Sequence, residues 1–146
     1  MPSLSAALTD EAKKPAIVED CLKLIDAEVA DKGGLSGMAV KAAYATVKGI
    51  KPGFVKSVVE GLLPEFAQAL EPLAQEASSK GQDVKTYLVA NQGRAADALL
   101  AVTDAKAQKS TNGVVKGTYS KLRGSAKKNV EAAIPRLGEL IVRHAV

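Results

Sequence analysis

VKAAYATVKG occupies residues 40–49, and VKGTYSKLRG occupies residues 115–124. Valine, lysine, tyrosine and a closing glycine recur in the same order 75 positions apart. In each stretch the apolar residues fall at the first, fifth and eighth places, as Val40, Tyr44, Val47 and as Val115, Tyr119, Leu122. That spacing puts them on one face of a helix and is incompatible with the alternation of a half-buried strand. A helical segment written twice predicts a duplicated helical unit.

The match continues on both sides. Downstream, after a shift of four residues, VEGLLPEFAQAL (59–70) aligns with VEAAIPRLGELI (130–141), pairing Glu60 with Glu131 and Pro64 with Pro135. Upstream, Leu24-Ile25 aligns with Leu99-Leu100 and Ser36 with Thr111, and SLSAAL (3–8) resembles DVKTYL (83–88), each opening on a capping residue. Over 16–30 a helical wheel separates Glu19, Asp20, Lys23 and Asp26 from Ile17, Val18, Cys21, Leu24, Ile25 and Val29. Ser36 and Thr111 stand where N-caps belong, and Gly49 and Gly124 where a left-handed residue ends a helix. A third helix is expected from near Pro52, with an apolar stripe through Phe54, Val58, Leu62 and Phe66, and a kink or short break at Pro64 and at Pro135. The expected fold is all-α: one domain over 1–146, a pseudo-symmetric bundle of about eight helices built from two tandem repeats, approximately 1–75 and 80–146.

Composition supports close-packed helices. The chain has 146 residues, 47% of them hydrophobic, but only three tyrosines and two phenylalanines, so its core must rely on small side chains approaching closely. Tyr44 and Tyr119 are expected to be mostly buried, with their hydroxyls on polar partners. A single cysteine, Cys21, excludes an internal disulfide, and a single histidine, His144, excludes a histidine-rich metal site. No cofactor is expected. No run of about 18 apolar residues is present, and the opening MPSLSAALTDEAKK lacks the apolar core of a signal peptide, so the expectation is a cytoplasmic protein without a membrane span.

The net charge of +4 is unevenly spread, with no acid between Asp31 and Glu60 or between Asp104 and Glu131. Lys41 and Lys48 lie seven apart on one helix face, and Lys116 and Arg123 repeat them, so these four are the candidate anion-binding residues. Lys48 and Arg123 also complement the C-terminal end of a helix dipole. KGGLSGMAVK (32–41) lacks the Gly-Lys-Ser/Thr ending of a nucleotide-binding loop and reads as a flexible turn between helices. Cys21, on an apolar face, reads as a small buried hydrophobe rather than a nucleophile paired with His144. Glu28 projects into the apolar arc of its helix and is expected to reach water or a lysine from the helix end.

KKPAIVEDCLKLIDAEVADKGGLSGMAVKAAYATVKGIKPGF together with LLPEFAQALEPL resembles a family of small uncharacterised proteins found mainly in actinobacteria, a domain of unknown function. The resemblance spans most of the chain and implies no activity and no site residues. No nucleophile–base pair, metal cluster or cofactor fingerprint can be assembled from the residues. The expected function is therefore non-enzymatic: protein interaction or self-association, with a homodimer or an unknown protein as partner. The alternative is an anion-binding module that contacts a nucleic-acid backbone through the paired basic helices.

Overall fold

The computed structural model describes residues 4–31 and 34–145, which form seven helices and no strand. These are α1 (Leu4–Leu8), α2 (Lys14–Asp31), α3 (Gly34–Lys48), α4 (Phe54–Ser79), α5 (Val84–Ala90), α6 (Gln92–Lys109) and α7 (Gly113–Ala145). α4 and α7 are the two long members, and each packs against all five of the others. They make no comparable contact with each other. The molecule is thus two long helices held apart by five shorter ones.

The count is seven rather than eight because the second half lacks a break that the first half has. Where Gly49-Ile50-Lys51-Pro52-Gly53 separates α3 from α4, the corresponding place holds Gly124 alone, and α7 runs straight through it. The four-residue change of register in the sequence match is this missing turn. Residues 36–75 and 111–146 are therefore not equivalent helix pairs: the first is broken, and the described part of the second is continuous.

The expected caps move by a few residues. Asn112, not Thr111, starts α7, its Oδ1 accepting from the backbone of Val114 (2.9 Å) and Val115 (3.2 Å). Ser36 lies inside α3, which already begins at Gly34. Hence residues 34–41 of the expected flexible turn are helix, while residues 32 and 33 lie outside the described residues. Gly49 ends α3 without a positive φ; the left-handed residue is Gly53 (φ 75°), just before α4. Gly81 (φ 65°) closes α4 in a Schellman arrangement, with the Gly81 amide on the Ser78 carbonyl and the Gln82 amide on that of Ala77. α4 stays helical through Pro64 and Pro72, and α7 through Pro135.

Small side chains do build the core. Ala67, Ala77 and Ala95 are wholly inaccessible, among Ile17, Leu88, Ile134 and Ile141. Gly138 lets α5 approach α7, since a Cβ there would stand 2.7 Å from Lys85 Cγ and 3.1 Å from Lys85 Cα. This core is one-ended. α4 contributes buried side chains only from Leu63 onward, α7 only from Ile134 onward, and α3 none among its described hydrophobic side chains. The other end of the bundle, made by α3 and the first halves of α4 and α7, is apolar but not closed.

Candidate functional site

At that unclosed end the stripe on the first half of α4 faces space. In the register that pairs the two prolines, Phe54, Val55 and Leu62 correspond to Ser125, Ala126 and Ala133 of α7. Phe54, Val55 and Leu62 line the unfilled space, Ala133 is the one of the three small residues that also does, and close packing is not reached. Three adjoining cavities result, of about 380, 340 and 320 Å³. Val58 lines all three and is itself 40% exposed.

The first cavity lies between α4, α6 and α7 and carries polar groups of Ser57, Thr103, Lys106, Ser110, Asn112 and Tyr119. The Thr103 and Tyr119 hydroxyls are 2.8 Å apart, and Tyr119 also donates to Asp104. Arg123 fixes the same carboxylate through two contacts, Nε at 2.9 Å and Nη2 at 3.1 Å. The guanidinium and the phenol hold Asp104 below the usual carboxylate range, while burial and the carboxylate push Tyr119 up. The second cavity is bordered by α2, α3, α4 and α7 and includes Tyr44, whose hydroxyl donates to Asp26 at 2.6 Å. Burial first, and then that carboxylate, push the Tyr44 phenol up to about 12. The third, lined by Cys21, Leu24, Phe66 and Leu137 among others, reaches inward to the packed core.

A fourth cavity of about 260 Å³ shares Tyr44, Phe54 and Val55 with the second and differs from it in charge. Lys48, Lys51 and Lys56 line it, with Asp26 as its acid. Lys48 Nζ stands 4.8 Å from the centre of the Tyr44 ring, a cation–π distance.

The four candidate anion residues are therefore placed differently from one another. Lys48 sits at this basic mouth. Arg123 is held by Asp104. Lys41 and Lys116 are exposed, line none of these cavities and have no ion pair among the described residues. Lys51 and Lys56, which belong to the acid-free stretch on either side of Gly53, were not among the four candidates because they lie outside the repeated ten residues.

Other titratable groups serve cohesion. Cys21 is half-buried, and burial with the neighbouring Asp20 pushes its thiol up to about 11, away from nucleophilic use. His144 Nε2 is engaged by Asp20 at 2.6 Å, not by Cys21. Glu28, expected to reach water or a lysine, instead pairs with Arg136 of α7, which also grips Asp31. Tyr87, 4% exposed, donates to Glu76 at 2.6 Å, and Arg94 clamps that carboxylate with contacts of 3.0 and 2.8 Å. Among the described residues no cluster of three His, Cys, Asp or Glu is placed to hold a metal ion, and no helix is long and apolar enough to cross a membrane.

A family model described as a family of unknown function (DUF6918) matches residues 4–145, so the chain belongs to that family. No curated protein and no solved structure matches it.

Proposed function

We propose that this member of DUF6918 works by binding rather than by catalysis, and that its site is the apolar cleft between the first halves of α4 and α7. The observation that carries the reading is the continuity of the three cavities around Val58 at the end of the bundle where the core stops. Pockets for small molecules are concave, mostly apolar and about 300–1,000 Å³, with a few polar groups that fix orientation. Thr103 and Tyr119 are such groups. Of the ionisable groups nearby, the Cys21 thiol and the Tyr44 phenol are pushed towards their neutral forms, and the carboxylates of Asp104 and Glu65 are engaged by Arg123 and Lys106.

The direct test is fluorescence titration of the purified chain with the neutral apolar dye N-phenyl-1-naphthylamine. Saturable enhancement is expected, and Val58→Trp and Ala133→Phe, which fill the cleft from either side, should weaken it at least about tenfold with helical content by circular dichroism unchanged. Absence of saturable binding by the unaltered chain overturns the reading.

Self-association is the second reading, favoured by the exposure of Met38 (67%) and Val114 (49%) on the helices of the same end. Light scattering that gives a dimer which Val58→Trp dissociates would put a second copy, not a small guest, in the cleft. The nucleic-acid reading has less support, because Arg123 would have to leave Asp104 to reach a phosphate. It requires a steep loss of DNA affinity with salt, and charge reversal at Lys41, Lys48, Lys116 and Arg123 should remove that binding.

A further inference from the structure

We infer that the guest is a single-chain amphiphile with an anionic headgroup, its tail in the apolar cavities and its head against Lys48, Lys51 and Lys56. The inference rests on the cleft being a binding site and adds the chemistry of what enters it.

The walls make the case. The second cavity is lined almost wholly by aliphatic and aromatic carbon, and it shares Tyr44, Phe54 and Val55 with the basic fourth cavity. A chain lying in the one emerges directly into the other. Each of the second and third cavities, about 340 and 320 Å³, is at the low end of small-molecule sites and is of a size for a single chain.

Charge selects the head. Lys48, Lys51 and Lys56 have no ion pair among the described residues, and Asp26, the acid at this mouth, already accepts from Tyr44. No acid interrupts the sequence from Asp31 to Glu60. A cationic head would be repelled there and an anionic one attracted, whereas a neutral one would gain nothing from the three ammonium groups. Lys48 lies along the Tyr44 ring, which borders both cavities, so its ammonium stands at the junction of apolar and basic walls.

Competition against N-phenyl-1-naphthylamine tests this, with decanoate and 1-decanol as competitors of equal chain length at pH 7.5 and low salt. Decanoate should displace the dye at a concentration about tenfold lower than decanol, from three exposed charge contacts of ordinary strength. Replacing Lys48, Lys51 and Lys56 together by Gln should erase that difference while dye and decanol binding stay unchanged. A control with Lys109, Lys121 and Lys128 changed to Gln carries the same net charge and should keep it. Equal displacement by the two competitors, or equal loss in the two triple variants, overturns the headgroup assignment while leaving the apolar site standing. Failure of the dye itself to bind removes both.

Discussion

Each of the three tyrosines in this chain donates its hydroxyl to a carboxylate on the helix before its own: Tyr44 to Asp26, Tyr87 to Glu76 and Tyr119 to Asp104. In a core short of aromatics, a ring fills the seam between two helices while its hydroxyl ties them. Tyr87 is the buried one, and Tyr44 and Tyr119 are half-buried, less than their sequence pattern implies. Tyr87→Ala should therefore cost about 3–5 kcal/mol in a urea titration, and Tyr44→Ala distinctly less. Bonds from Arg94 first, and then Tyr87, hold Glu76 down to about 2 from an ordinary 4.5. A carboxylate depressed by folding stabilises the native state above its unfolded value, and that contribution is lost as pH falls through the folded one. Unfolding midpoints should thus drop between about pH 4.5 and 2, and Glu76→Gln should flatten that part of the profile. The sequence showed that Tyr44 and Tyr119 needed polar partners, but not which ones. Asp26 lies 18 residues before Tyr44 and Glu28 lies 108 before Arg136, and helix periodicity says nothing about pairing across helices.

For elements, the contrast between α3–α4 and α7 is the instructive case. Both copies of the repeated stretch read as helix and are helix, yet the glycine that closes one is interior to the other. The difference lay open in the four-residue change of register; reading Gly49 and Gly124 as equivalent stops hid it. Glycines in α7 consequently have distinct roles. Gly117 and Gly124 are exposed with open space where a Cβ would go, so each change to Ala should raise stability by about 0.5–1 kcal/mol, by favouring the helix. Gly138→Ala drives a methyl into the backbone side of Lys85 and should lower it by about 1–3 kcal/mol. Parallel thermal melts of the three variants decide this, and a uniform sign would refute the assignment of Gly138 to helix approach.

Over the whole molecule, the helical class and the reliance on alanine in the core were legible from composition and periodicity. The unclosed end was not: an apolar stripe on α4 reads the same whether a neighbour covers it or not, and the small Ala133 beside the unfilled volume is no signal by itself. The first and last helices of the described chain come together at the packed end of the bundle. α1 lies against α7, and Lys13 Nζ donates to the His144 carbonyl at 3.2 Å. Opposite in sequence, the connection from Ser79 to Asp83 is exposed and turns at left-handed Gly81. Such a tip tolerates a new pair of ends. The order in which the two halves are written is thus separable from the shape they make together. A circular permutant that begins at Gln82, joins residue 145 to residue 4 by a short glycine-serine linker and finishes at Gly81 should show the same helical spectrum and the same dye saturation as the natural order.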